Sequence, residues 1–84
     1  MLTIHPARQN YQRVKLVGEL IDFKCDQQTG YTEYWFMVDG RRVLVEHRLI
    51  PLNPPVVGRC YEVYAYRKVT AYSNSLEMFT YGEC

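Results

Sequence analysis

Residues 31–49 limit the possible folds more than any other part of this chain. The run Tyr31–Val38 is dense in aromatic and β-favouring residues, and residues 41–49 alternate well enough to form a partner strand. Between them lies Asp39-Gly40, a pair preferred in two-residue type I′ turns. The segment therefore predicts an antiparallel β-hairpin, and any fold assigned to the chain has to contain it.

The rest of the chain predicts three further strands and no helix of three turns. The strands cover residues 14–24, 59–70 and 75–81, with Gly18 placed where a bulge or sharp coil would be tolerated. Residues 25–30 predict a polar loop, residues 49–58 a proline-bearing extended loop, and residues 71–74 a hairpin tip. This order predicts an all-β, five-stranded, OB-like antiparallel Greek-key barrel that is partly open. An SH3-like barrel is the alternative.

Composition narrows the class of protein. At 84 residues the chain has room for one domain, 1–84. Its net charge is only +1, so binding to a polyanion would need local basic clusters instead of bulk charge. Eight tyrosines stand beside three phenylalanines and one tryptophan. Because tyrosine is favoured where one end of the ring meets water, this bias indicates an aromatic surface in contact with solvent.

The cysteines and the first residues bear on location. Cys25, Cys60 and Cys84 are widely spaced, with no C-x-x-C pair. An odd count without a framework predicts reduced thiols in a reducing compartment. The start lacks the features of a secretory signal, and no apolar run is long enough for a membrane span. We expect a cytoplasmic protein with no membrane partner.

Motifs that carry catalysis are missing from the sequence. It contains no nucleophile–base constellation, no phosphate-binding glycine motif and no spacing typical of metal ligands. The sequence therefore predicts a binding protein that is not an enzyme. We expect no cofactor, no metal and no small-molecule substrate.

Alternation assigns side chains to the two faces of the predicted strands. The residues predicted to face inward are Tyr34, Phe36, Val38, Val43, Val45, His47, Tyr61, Val63 and Ala65. In the second strand the opposite choice is nearly even, because Trp35 and Met37 could equally form the core. One outer surface then gathers Trp35, Tyr64 and Tyr66 with Arg42, Arg48 and Lys68. Rings interleaved with cations suit single-stranded nucleic acid, since bases stack on the rings and cations hold the backbone. For Tyr64 and Tyr66 the alternative is packing against cross-strand neighbours.

Several short motifs resemble a known family. The chain opens with Ile4-His5-Pro6, has Val43-Leu44-Val45 before the proline-bearing loop, a G-x-x-Y step from Gly58, and K-V-x-x-Y-x-x-S-L from Lys68 to Leu76. In these motifs, in its length and in its lack of a helix, the chain resembles the gene V class of filamentous-phage single-stranded DNA-binding proteins.

The resemblance implies a homodimer that coats single-stranded DNA cooperatively during phage replication in the host cytoplasm. It implies that residues 25–30 are a DNA-binding wing beside Lys24, followed by a stacking ring, Tyr31 or Tyr34. Tyr72 matches a hairpin-tip aromatic that reaches the DNA held by the partner subunit. The family's wing is rich in Arg and Lys, whereas residues 25–29 contain Asp26 and no base. Either binding is weaker here, or the cations have moved to Arg41, Arg42, Arg48, Arg59 and Arg67.

The predicted function is sequence-tolerant binding of single-stranded DNA. The predicted contact residues are Lys24, Tyr31, Tyr34, Trp35, Arg42, Arg48, Tyr64, Tyr66, Lys68 and Tyr72. Two alternatives stay open. A protein-interaction barrel could use the same tyrosine surface, since Tyr and Arg are also enriched at protein interfaces. An RNA-binding OB module would use the same stacking chemistry.

Overall fold

The computed structural model describes residues 11–49, 51–69, 71–72 and 74–84. Its strands are β1 (Tyr11–Asp26), β2 (Tyr31–Val38), β3 (Arg41–His47), β4 (Cys60–Val69) and β5 (Asn74–Glu83). The five predicted strands are confirmed, and the largest difference is that β1 and β5 extend further at both ends. The opening motif Ile4-His5-Pro6 lies outside the described residues.

The β2–β3 hairpin forms as the Asp39-Gly40 pair predicts. Val38 pairs with Arg41, which leaves a two-residue turn. Asp39 and Gly40 both have positive φ angles, 50° and 78°. A type I′ turn requires positive φ at both central residues, so the turn and the register of the hairpin are confirmed.

The strands close into a barrel in the order β1-β2-β3-β5-β4. Four of the pairs are antiparallel, and β1 serves two of them, pairing first with β4 and then with β2. The barrel is completed by a parallel contact of β3 with β5, which pairs Glu46 with Glu77. The fold is therefore an all-β barrel, consistent with the OB-like architecture predicted, but it is closed where a partly open barrel was expected.

Gly18 permits the close crossing at which β1 passes from one partner strand to the other. A Cβ atom at this position would collide with the carbonyl oxygen of Met37 on β2. The register shift in β1 itself comes slightly later, between Leu20 and Asp22. The irregularity of β1 therefore lies after Gly18 and not at it, and the glycine is needed because a neighbouring backbone approaches closely.

The barrel interior holds the residues that alternation turned inward. Its buried hydrophobic core consists of Leu20, Tyr34, Phe36, Val45, Tyr61, Val63, Ala65, Leu76 and Met78. The inward assignment is therefore confirmed for Tyr34, Phe36, Val45, Tyr61, Val63 and Ala65, including the nearly even choice for β2, whereas Val38, Val43 and His47 are only partly buried. Thr32 is also fully buried, and its hydroxyl donates to the carbonyl of Leu49 at 3.0 Å.

Tyrosine hydroxyl groups fix the proline-bearing connection to the end of the barrel. The backbone N–H of Val56 donates to the Tyr61 hydroxyl at 2.8 Å, and the Tyr81 hydroxyl donates to the carbonyl of Asn53 at 3.3 Å. Pro55 between them is buried. These rings pack inside the barrel and use their polar ends as anchors, which explains part of the tyrosine bias without any ligand.

The prediction of three reduced cysteines was wrong. Cys60 and Cys84 form a disulfide with their Cα atoms 5.5 Å apart, and Cys25 is the free cysteine of the described residues. Cys60 begins β4, and Cys84 follows β5, which returns antiparallel beside it with Glu83 opposite Tyr61. The hairpin thus brings together residues 24 positions apart. The cysteines therefore no longer indicate a reducing compartment.

Candidate nucleic-acid interface

The predicted outer wall of rings and cations is divided between two faces of the barrel. Trp35 and Arg42 lie on β2 and β3, whereas Tyr64 and Tyr66 lie on β4. In the closed order, β1 separates β4 from β2 on one side and β5 separates β4 from β3 on the other. The prediction that these residues share one surface was wrong, because it used the alternation within strands and not the order of strands around the barrel.

We call the outer surface of β2 and β3 the groove face. Its outward side chains are Tyr31, Glu33, Trp35, Met37, Arg42, Leu44, Glu46 and Arg48. Trp35 is half-buried, and the Arg42 guanidinium lies over its indole, 5.1 Å from the ring centroid. A cation held over an indole is a favourable pair in itself. It also joins a flat apolar surface to a positive charge at one point of the barrel wall.

A groove of about 410 Å³ opens beside this pair. Its walls come from β3 and from the β4–β5 hairpin, and the residues that line it are Trp35, Arg42, Val43, Leu44, Glu46, Arg67, Asn74, Ser75 and Leu76. Arg67 donates to the side-chain carbonyl of Asn74 at 3.3 Å, which fixes its guanidinium at the hairpin. The groove therefore combines an indole, two guanidinium groups and a side-chain amide with one carboxylate.

A smaller hollow of about 270 Å³ lies at the other end of the groove face, beside the β1–β2 turn. It is lined by Lys24, Asp26, Thr29, Tyr31, Glu33 and Glu46. Tyr31 is 42% exposed, as its predicted role in stacking on a base requires. The predicted Lys24 and Tyr31 are thus brought together, but among carboxylates.

The β1–β2 connection is a tight turn and not an extended wing. Cys25 and Asp26 belong to β1, which leaves residues 27–30 as the turn. The Asp26 carboxylate accepts the backbone N–H of Gln28 at 2.9 Å and that of Thr29 at 3.4 Å. An aspartate that accepts from the backbone two residues on is typical of an Asx-turn. The acid that departed from the family's basic wing is explained by this structural role.

A row of glutamates crosses the middle of the groove face. Glu33 pairs with Glu46, and Glu46 pairs with Glu77 on β5. Glu77 forms salt bridges with two of the residues predicted to contact DNA. Its carboxylate lies 2.8 Å from Arg48 Nε and 3.5 Å from Lys68 Nζ. These two cations are therefore partly neutralised in the free protein. Strand register produced this row, so spacing along the sequence could not show it.

Tyr34 has to be removed from the predicted contact residues. Its side chain is 0% exposed and packs against Phe23, Phe36 and Tyr81. Burial raises the pKa of its hydroxyl well above the usual value for tyrosine. That hydroxyl also has no hydrogen-bond partner among the described residues. No face of the ring is open to a base, so the inward assignment is right and the binding role is wrong.

The second group of rings lies on the outer surface of β1, β4 and β5, which we call the ring face. It contains Tyr64 and Tyr66 as predicted, together with Phe79, Arg13 and Lys15, which the sequence analysis did not single out. Phe79 is 46% exposed, and its centroid lies 4.8 Å from that of Tyr66. Phe79 was missed because no faces were assigned to the last predicted strand, although alternation with Leu76 and Met78 inward places it outward.

Tyr72 lies near the tip of the β4–β5 hairpin and is 97% exposed. Its role in reaching nucleic acid stays a prediction.

Comparisons with known proteins return no relative: no family model, no curated protein and no solved structure matches this chain. The part of the chain that the structure describes also contains no cluster of three or more His, Cys, Asp or Glu residues able to hold a metal ion. Nor do residues 11–49, 51–69, 71–72 and 74–84 include a helix long and apolar enough to cross a membrane. The function of this protein is therefore inferred from the geometry of its two faces.

Proposed function

We propose that this protein binds single-stranded nucleic acid, with DNA as the preferred form, through the groove beside Trp35 and Arg42. The observation that carries the proposal is the position of this pair. In five-stranded OB-type barrels the outer surface of strands 2 and 3, with the loop between strands 4 and 5, is where oligonucleotides and oligosaccharides bind. Here that location holds the indole with its guanidinium, next to Arg67 and Asn74 of the β4–β5 hairpin.

The chemistry of the groove suits an unpaired nucleotide. A base can stack on the Trp35–Arg42 pair, and such stacking is worth about 1–3 kcal/mol per base. The guanidinium groups of Arg42 and Arg67 offer donors to a phosphate in the same groove. A duplex offers no unstacked base, so the groove favours single strands.

The glutamate row limits how a strand can lie. A phosphate backbone that followed β2 and β3 from Tyr31 to Trp35 would have to pass Glu33 and Glu46. These carboxylates would repel the phosphates, most strongly at low salt. The proposal therefore places the backbone along Arg42 and Arg67 at the hairpin side of the groove, with its bases toward Trp35.

The finer form of the proposal follows the resemblance to the gene V class. A homodimer would coat a single strand during phage replication, with Tyr72 of each hairpin tip extending the contact. The exposure of Tyr72 supports this form. The tight β1–β2 turn departs from it, since the turn supplies no cation for a wing.

The lone tryptophan gives a direct test of the groove. Oligo-dT, a single-stranded RNA of equal length and a duplex are titrated while the fluorescence of Trp35 is followed at two salt concentrations. We expect single strands to quench the fluorescence, and the affinity to fall with salt at about −0.7 in log–log slope per neutralised phosphate. An affinity that does not depend on salt, or no response to any nucleic acid, would contradict the proposal.

A second candidate function is protein interaction, and the β3–β4 connection supports it. Leu49, Leu52, Val56 and Val57 in this loop are between 50% and 97% exposed. The tyrosine hydroxyls anchor the loop to the barrel at Asn53 and Val56. A fixed loop that presents apolar side chains is a feature of protein interfaces. If the fluorescence titration is silent with every nucleic acid, this loop is the surface to study.

A further inference from the structure

We propose that the ring face is a second contact surface for the same nucleic-acid strand, on which bases stack on Phe79 and Tyr66 while phosphates lie along Arg13 and Lys15. This inference rests on the proposed function and extends it across the barrel from the groove. It assigns a role to residues that the groove leaves unused.

The rings form one cluster on adjacent strands. The centroid of Phe79 lies 4.8 Å from that of Tyr66, with an angle of 32° between the planes, and 6.3 Å from that of Tyr64. These separations are within the range of favourable aromatic pairs. With Phe79 46% exposed, the cluster offers an open edge on which a further flat ring can stack.

A β-bulge in β5 lies at Phe79, which faces outward beside the inward Met78. Tyr64 pairs with Thr80 and the next residue, Ala65, pairs with Met78, so Phe79 has no partner in the ladder. The extra residue leaves both Phe79 and Thr80 exposed. It also lets Tyr81 return to the interior, where its ring packs edge-on against Tyr61. Bulges are common beside binding sites, and this one places two outward side chains, Phe79 and Thr80, opposite the outward Tyr64.

Cations line one side of the cluster. Arg13 on β1 lies opposite Tyr66, and Lys15 lies opposite Tyr64. The Lys15 ammonium is 5.8 Å from the centroid of the Tyr64 ring and 3.8 Å from the Glu62 carboxylate. That ion pair is solvent-exposed and therefore weak, so a phosphate can compete for the lysine. The cations therefore form one row on β1 and the rings form a parallel row on β4. This arrangement fits a nucleic-acid strand whose phosphates lie on one side and whose bases lie on the other.

The charged groups around the cluster favour this arrangement on the β1 side. The carboxylates near the rings are Glu62 and Glu77, and Glu77 is already engaged by Arg48 and Lys68. The phosphates of a strand are therefore attracted toward Arg13 and Lys15 on β1, while its bases lie toward Tyr66 and Phe79. This complementarity points to nucleic acid as the occupant.

The size of the cluster argues against a second copy of the chain as the main occupant. A fully buried aromatic side chain covers about 150–250 Å², and Tyr64 and Tyr66 are already half-buried. A stable protein interface needs about 800 Å² on each partner. The rings alone supply well under that area, which suits a narrow, extended ligand better than a protein surface.

Two proteins that each carry one tryptophan separate the two faces. The wild type reports on the groove through Trp35. The double variant Trp35→Phe/Phe79→Trp reports on the ring face. Both are titrated with oligo-dT of about 4 and about 16 nucleotides, the range of site sizes for one OB-type domain. We expect the longer strand to quench both indoles. The variant Val57→Trp in the Trp35→Phe background, on the β3–β4 loop, is the control and should show no quenching.

Affinity variants complete the test. Phe79→Leu keeps an apolar side chain without a stacking face, and it should weaken binding of the longer strand by about 5- to 150-fold. Phe79→Tyr should restore binding. The double change Arg13→Gln/Lys15→Gln should lower the salt slope by about 1.4, which is two phosphate contacts.

The outcomes distinguish this inference from the proposed function. Quenching of Trp35 without quenching of the indole introduced by Phe79→Trp, together with normal binding by Phe79→Leu, would overturn the second surface and leave the groove intact. Silence of both indoles would overturn the proposed function and this inference with it. A Phe79→Leu variant that changes oligomeric state on gel filtration but binds normally would assign the ring face to self-association, which also overturns it.

Discussion

The groove face and the ring face use similar residues in opposite ways. On the groove face one indole is paired with one guanidinium, and a row of carboxylates lies beside it. On the ring face several rings lie together, and the cations form a separate line on β1. The difference teaches that the number of rings and cations does not define a binding surface. The register between strands decides which charge stands beside which ring.

The largest effect we expect is a loss of stability when the disulfide is removed. This bond joins β4 to the end of β5, two of the strands that form the ring face. Cys84→Ser should lower the free energy of unfolding by about 3 kcal/mol, because the bond closes a long loop. Cys25→Ser removes the free thiol and is the matched control. Denaturant unfolding of both variants gives the measurement. Equal stability of the two variants under oxidising conditions would contradict the assigned pairing.

The next largest effect concerns the groove. Trp35→Ala should weaken binding of a short oligo-dT by about 1–3 kcal/mol, since it removes the stacking surface. Trp35→Phe retains a flat ring and should lose much less. Fluorescence anisotropy of a labelled oligonucleotide gives both affinities. If Trp35→Ala binds as well as the wild type, the groove is not the primary site.

A smaller and opposite effect is expected from the glutamate row. Glu46→Gln should tighten binding by about two- to fivefold at low salt, because it removes a half-buried like charge near the phosphates. The gain should vanish at high salt. Glu19→Gln, an exposed change away from both pockets, is the control for net charge. Equal gains from both variants would indicate a general charge effect and not a local one.

A substitution inside the barrel should have no effect on binding. Tyr34→Phe should leave affinity unchanged and raise stability by about 1 kcal/mol, since the hydroxyl it removes is buried without a partner among the described residues. The raised pKa of this tyrosine adds a pH test. Above pH about 10 the unfolded chain loses this proton while the folded chain keeps it, so wild-type stability falls as pH rises. Tyr34→Phe should reduce that fall, and an equal alkaline loss in both proteins would contradict the assignment.

Local patterns predicted what local physics decides. The turn at Asp39-Gly40 follows from the positive φ angles that this pair tolerates. The inward side chains of β2 and β4 follow from alternation, because a half-buried strand has to place one side in the core. The strand count followed from the same patterns.

Pairing between distant strands explains what the sequence could not predict. The glutamate row requires β3 beside β5, and the disulfide requires the register of the β4–β5 hairpin. The inward return of Tyr81 depends on the bulge that leaves Phe79 out of the ladder. The candidate site itself was predicted in part, since Trp35 and Arg42 meet, whereas Tyr34 lies in the core. Each of these depends on which strand lies beside which, information that spacing along one chain does not carry.

The parallel contact between β3 and β5 has a consequence for the groove that it borders. Because the described ladder joins these strands at Glu46 and Glu77, Val43 and Leu44 face Ser75 and Leu76 across the gap with side chains and little backbone bonding. We therefore expect local opening at this line before the other four ladders open. Amide protons beside the gap should exchange with solvent faster than those of β4. We also expect the cleft to adapt its width to purines or pyrimidines, so the protein should discriminate only weakly between bases.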